Sequence, residues 1–199
     1  MPEKRSSITT HTGDGGKTYT LGGERVFKSD LRVAMSGSMD ELVTQISFIK
    51  LSFPQDSFSY QMLTWVQTCL FIIASRFSDP YLQSDAKRQI TEEELNFLNT
   101  VSSQIEQNTI MPSSFVIPGA TEISCHIDIA RCISRKIERK MIEFIQQFPD
   151  HAISKETFAF INRLSDFLYI LARKEENGNF IALNYGIVQA FPQKKMEQL

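Results

Sequence analysis

What this 199-residue chain lacks narrows its class before any motif is read. No apolar run reaches the roughly 18 residues that a membrane-spanning helix needs. The longest, around Cys69 to Ser75, sits inside an amphipathic pattern. The first ten residues hold no apolar signal-peptide centre, and the polar segment is too short for a transit peptide, so the cytoplasm is the expected compartment. Cys69, Cys125 and Cys132 are odd in number and unpaired in spacing, which fits reduced thiols rather than a disulfide framework. With His11, His126 and His151 they give no metal-ligand spacing. No Glu-x-x-His pair suggests a di-iron bundle, and no nucleophile–histidine–acid arrangement is legible. A formal net charge of −2 gives no global attraction for nucleic acid or an anionic membrane. Any anion site must therefore be local.

What is present is an ordinary globular balance, 42% apolar and 22% charged, in a length that suits one domain. Five of the nine glycines fall between Gly13 and Gly23, and after Gly37 none appears until Gly119. The reading is a loop-like N-terminal arm over residues 1–30 and regular structure over 31–199. A first helix is expected over about Met39 to Leu51. Phe58, Met62, Trp65, Val66, Cys69, Leu70, Ile73 and Ala74 recur at helical steps, with Ser78, Asp79 and Pro80 ending the run. Thr91 and Glu94 form a capping box ahead of the Leu95, Leu98, Val101 and Ile105 stripe. Ile110 to Gly119, with two prolines, is a connection. A long helix is predicted from about Glu122 to Phe148, and Ser154 caps a last one carrying Phe158, Ile161, Leu164, Leu168 and Leu171. No segment shows period-2 alternation between hairpin turns. The fold class is all-α, an antiparallel bundle of about five helices.

Three features could carry chemistry. The segment from Thr10 to Lys28 combines glycines, hydroxyls and lysines, the types a polyphosphate loop uses for close backbone approach and charge. It is not a Walker A loop: the first glycine of that motif would fall at His11, and no buried strand precedes it. A disordered arm explains the composition equally well. Arg131, Arg135, Lys136, Arg139 and Lys140 crowd one helix, with like-charge i, i+4 pairs that each cost about 0.2–0.5 kcal/mol unless neutralised. A solvated cationic face is the ordinary explanation, but arginines bordering Ile127 and Ala130 need carboxylates or a bound anion. Asp40 and Glu41 are candidate partners. Asn162, Asp166, Tyr169 and Arg173 form a polar stripe on the last helix, which reads most simply as an interhelical hydrogen-bond network.

In order, the segments TGDGGKT, GGERVFK, Arg32-Val33, GSMDEL (Gly37 to Leu42), FVIPG (Phe115 to Gly119), AR…SRKIER (Ala130 to Arg139) and FINRLSD (Phe160 to Asp166) resemble the PduO-type ATP:cob(I)alamin adenosyltransferases. The resemblance implies a five-helix bundle that assembles as a homotrimer with active sites between subunits. It implies ATP bound with Mg²⁺, and transfer of the 5′-deoxyadenosyl group to the cobalt of reduced cobalamin with release of triphosphate. It also implies partners: a reductase and an adenosylcobalamin-dependent acceptor enzyme. By position, Thr10, His11, Thr12, Gly13, Thr18 and Lys28 fall on the family's ATP-binding arm, and Arg135, Lys136, Glu138, Arg139 and Asn162 on its other ATP contacts. Arg131 falls on an arginine that pairs with the aspartate at Asp40 across a subunit boundary. Phe115 falls on an aromatic facing the corrin that helps displace the lower axial ligand. Arg135, Phe115, Asp40 and Arg131 thus carry the catalytic expectation. His11 stands where lysine is usual, Lys136 where arginine is usual and Ser36 where tyrosine is usual. The tail after Asn177, with Phe180, Tyr185 and Phe191, matches poorly. The departures at His11 and Lys136 are the support for an alternative, a non-catalytic cobalamin carrier or regulatory protein of the same fold.

Overall fold

A computed structural model describes residues 11–78, 89–150, 153–188 and 190. Thr10, Asp79, Pro80, His151 and Phe191 lie outside the described residues.

Five helices build the body: α1 (Leu31–Lys50), α2 (Phe58–Ser78), α3 (Glu92–Gln107), α4 (Glu122–Gln147) and α5 (Lys155–Glu176). The capping box at Thr91 is formed, with Glu94 Oε2 accepting from the Thr91 amide at 2.9 Å. Thr121 and Ser124 make a second box at the start of α4, and the Ser154 hydroxyl caps α5 by accepting from Thr157 N. These caps satisfy amides that a helix start otherwise leaves without partners.

Side-chain pairings fix the directions. Lys50 reaches Thr64 while Ser36 reaches Ser78, so α1 and α2 run antiparallel. Gln45 meets His126 and Lys140 meets Ser38, which sets α4 antiparallel to α1. Arg173 meets Asp128 and Asn162 meets Glu138, which does the same for α5 and α4. The core between them is continuous, from Met35, Leu42 and Ile46 through Leu63, Leu70 and Phe77 to Ile137, Phe144, Leu164 and Leu168. Phe77 and Phe144 pack edge to face at 4.8 Å, and Trp65 contacts both Phe97 and Phe160. No helix among the described residues is long and apolar enough to cross a membrane.

The first helix departs from expectation. It begins at Leu31 rather than Met39 because Asp30 caps it, its carboxylate accepting from Arg32 N at 2.9 Å. Gly37 therefore lies inside the helix, where it costs about 1 kcal/mol relative to alanine. Burial of Arg32, Met35, Ser38 and Met39 on one side outweighs that preference.

The glycine-rich arm is not all loop. Lys17–Tyr19 (β1) and Arg25–Phe27 (β2) pair antiparallel, with Thr18 opposite Val26. The period-2 signal is missing because only Val26 is buried; both faces of the rest are partly or fully open. Gly23, at φ 81°, closes the turn in a conformation that a side chain would strain. A second short pair joins Val116–Ile117 (β3) to Ile181–Ala182 (β4), tying the proline-rich connection to the segment after α5.

Candidate active site

The hairpin is held to the bundle by one arginine. Arg32, on the first turn of α1, donates to Glu24 at 2.6 Å and to Asp30 at 2.9 and 3.0 Å, and its guanidinium lies 5.4 Å from the Phe148 ring. Its hydrogen bonds and charge hold the Glu24 and Asp30 carboxyls below their usual pKa values; the same two partners push Arg32 further up. A groove of about 570 Å³ opens beside this clamp, lined by hairpin residues and by Lys140, Glu143 and Gln147 of α4.

The phosphate-loop candidates cluster at the base of the hairpin. Lys28 N donates to Gly16 O at 2.9 Å, extending the ladder. The Lys28 ammonium folds over Gly13, where a Cβ would sit 3.2 Å from Nζ, so the glycine makes that approach comfortable. His11 has a left-handed backbone, φ 57°, and stands 3.5 Å from Asp14; it and Thr12 are exposed. Thr18 lies on β1 and lines a small pocket with Arg32, Ser36 and Ser78. At Ser36 the short side chain hydrogen-bonds Ser78 Oγ at 2.7 Å.

Helix α4 has two working sides. Toward α1, Lys136 pairs with Glu41 at 2.5 Å and Lys140 donates to Ser38 Oγ at 2.8 Å. Toward α5, Glu138 accepts from Asn162 Nδ2 at 2.8 Å, and Arg131 and Arg135 open on a cleft of about 450 Å³ shared with Ser165, Asp166 and Tyr169. Arg135 and Arg139 are exposed and have no hydrogen-bond or ion-pair partner among the described residues. The Arg135 cleft and the hairpin groove are separate concavities with no lining residue in common.

Arg131 is not paired with Asp40 within the chain. Its Nε donates to Asp128 at 2.8 Å, while Asp40 stands exposed on α1. Phe115 is 78% exposed, with its carbonyl accepting from Leu183 N at 2.9 Å. A further groove is lined by Pro118, Cys125, Ile129, Cys132 and Ile133, with Glu41, Asp128 and Lys136 among them. Among the described residues no three histidine, cysteine, aspartate or glutamate side chains are grouped to hold a metal.

Sequence reasoning missed the buried ions. Arg173, 1% exposed, donates to Asp128 at 2.6 Å and to Glu176 at 2.9 Å. Desolvation pulls the Arg173 pKa down, but the Asp128 charge and hydrogen bond, with Glu176 behind them, overcome it and the net shift is upward. The polar stripe on α5 hinted at Arg173. Asp128 and Glu176 gave no signal, since the contact between residues 128 and 173 depends on the α4–α5 register.

The cobalamin adenosyltransferase family model matches residues 8–175. A corrinoid adenosyltransferase of Citrobacter freundii is 34% identical over 170 residues, 85% of this chain and 94% of that protein. One from Mycobacterium leprae is 31% identical over 179 residues, 86% of this chain and 92% of its own. The corrinoid adenosyltransferase PduO of Salmonella typhimurium is 30% identical over 171 residues, and the chain spans only 50% of that longer protein. Among solved structures, a phenylalanine-to-alanine variant of the PduO-type ATP:corrinoid adenosyltransferase of Lactobacillus reuteri, complexed with cobalamin and ATP, aligns with a TM-score of 0.78 at 25% identity. That match covers 89% of this chain and 99% of the other. An arginine-to-lysine variant from the same organism, complexed with ATP, aligns at 0.75 with 26% identity, covering 89% and 99%. Five packed helices, an arginine cleft on the fourth and a match over residues 8–175 together make the chain a member of the cobalamin adenosyltransferase family.

Proposed function

We propose that the chain transfers the 5′-deoxyadenosyl group of ATP to the cobalt of reduced cobalamin. The carrying observation is Arg135: an exposed guanidinium on a cleft, with no ion-pair partner among the described residues, in a chain of this family. Cobalt in cob(I)alamin is itself the nucleophile, so no general base is needed. Its electron pair forms the Co–C5′ bond, the C5′–O bond breaks, and the pair from that bond leaves on triphosphate. Cobalt goes formally from +1 to +3. The protein's tasks are to hold C5′ in line and to stabilise the departing charge.

Arg135 and Arg139, with Lys136 once it leaves Glu41, meet the triphosphate. Glu138 and Asn162, already hydrogen-bonded to each other, orient that side of α4. Thr10, His11, Thr12, Gly13, Thr18 and Lys28 contribute the arm's share. The described side chains offer no three-ligand cage, which suits an Mg²⁺ ion held mainly by phosphates and water, as that ion is usually held. When bound, it neutralises triphosphate charge.

A homotrimer completes the site. The hairpin groove and the Arg135 cleft are separate within one subunit, Asp40 is exposed, and Phe115 awaits a cover. A neighbouring subunit supplies the arm to the Arg135 cleft and Asp40 to Arg131. Phe115 then presents an apolar wall to the corrin, excluding water and the lower base and making Co(I) easier to form. A reductase supplies the electron, and an acceptor enzyme takes the product.

The test is direct. Purified protein with ATP, Mg²⁺ and chemically reduced cobalamin should give the adenosylcobalamin spectrum. A folded protein that leaves the corrinoid unreacted overturns the reading. A carrier would instead bind corrinoid in calorimetry without ATP and without turnover.

A further inference from the structure

Asp128 links the buried ions to the cleft. Its Oδ1 accepts from Arg131 Nε at 2.8 Å and its Oδ2 from Arg173 Nη2 at 2.6 Å, while the residue is 3% exposed. Glu176 takes the other side of Arg173, with Nε and Oε2 2.9 Å apart. Two guanidiniums and two carboxylates balance, so this cluster needs no external ion. Because Asp128 occupies Nε, Arg131 is gripped by its inner edge. Its terminal nitrogens have no carboxylate partner among the described residues, and Nη2 meets only Cys132 Sγ at 3.9 Å. Tyr169, on the same cleft, lies 4.9 Å from the Arg173 guanidinium and 6.0 Å from that of Arg131.

We propose that Asp128 is a positioning residue for the adenosyl transfer: anchored from α5 by Arg173 and Glu176, it holds Arg131 by its inner edge and turns the outer nitrogens toward the Asp40 that a neighbouring subunit brings to the site. This rests on the adenosyltransferase reading above. An ion pair that shapes a site across a subunit boundary must itself be locked by a supporting shell, and a misplacement of about 1 Å can cost about 10²-fold in rate.

The test is a double-variant cycle, reading kcat at saturating ATP and cob(I)alamin for Asp128→Asn, Arg131→Ala and the pair. Asp128→Asn should lower kcat by about ten- to a hundredfold. The double variant should be no slower than Arg131→Ala alone, because Asp128 acts through Arg131. Wild-type kcat in Asp128→Asn, or losses that multiply as they do for independent sites, overturns the proposal. Asp128→Glu keeps the cluster's charge and serves if the asparagine variant does not fold. Its added methylene should displace Arg131 and lower kcat with melting near wild type, and wild-type kcat there also overturns the proposal. A wild-type protein that forms no adenosylcobalamin instead defeats the functional reading, and the proposal with it.

Discussion

Arg173 and Arg135 face the same α4–α5 seam in opposite conditions. Arg173 is sealed from water between Asp128 and Glu176. Arg135 is exposed on a cleft with no carboxylate partner among the described residues. A buried charge must be neutralised where it lies, whereas an exposed one can wait for a ligand. The comparison separates a guanidinium whose work is structural from one whose work is chemical, although both are arginines on amphipathic helices.

The sharpest way to break that division is to remove Arg173. Arg173→Ala leaves Glu176 buried without its cation and should destabilise the fold by about 3–5 kcal/mol. Urea unfolding at fixed protein concentration measures it, concentration being fixed because assembly adds to apparent stability. A loss within 1 kcal/mol would mean the cluster relaxes to water and the division is false.

Removing Arg135 should do the reverse. Arg135→Ala should lower kcat by about 10²–10³-fold, the usual effect of deleting one donor to developing negative charge. Melting should stay near wild type, because the side chain makes no contact that folding depends on. Wild-type turnover would strip Arg135 of its role.

The same contrast explains what could be read from the sequence. The stripes of α2, α3, α4 and α5 were legible because each buries one face, and Thr91, Glu94 and Ser154 mark their starts by local chemistry. The arginine row from Arg131 to Arg139 was legible as a charge pattern with Asp40 and Glu41 as candidate partners, and Glu41 does meet Lys136 in that row. The start of α1 was not: the helix was expected from about Met39, and the Asp30 cap with the packing of Met35 and Met39 carries it back to Leu31. The hairpin was hidden because Val26 alone is buried, so its strands lack an apolar face. Asp128 was invisible for another reason. Its partner Arg173 lies 45 residues away, and only the register of two helices joins them.

The hairpin clamp is intermediate between the two arginines, and Asp30→Ala probes it. Asp30 is both the cap of α1 and a partner of Arg32. Its loss should cost about 1 kcal/mol, as cap deletions do. It should also raise the KM for ATP more than it lowers kcat, since the arm is loosened while the Arg135 cleft is intact. A melt and steady-state kinetics decide it, and an unchanged KM would detach the clamp from ATP binding.

The smallest effect is that of pH on the same clamp. Glu24 and Asp30 both have carboxyl pKa values below the ordinary 4.5 and 3.8, chiefly through hydrogen bonds from Arg32. A depressed carboxyl pKa contributes stability that is present above the unfolded value and disappears as pH falls through the folded one. The clamp should therefore be intact at neutral pH, begin to weaken near the ordinary carboxylate values, and be lost below them. Arg32 stays charged throughout, so the whole change belongs to the two acids. Amide exchange of residues 17–27, corrected for intrinsic rates, should be slower at pH 6 than at pH 3. Amides in the packed core of α4 and α5 should keep their protection over the same range, because apolar burial rather than the Arg32 clamp closes them. Equal loss in both regions would show that acid opens the bundle as a whole rather than the hairpin first.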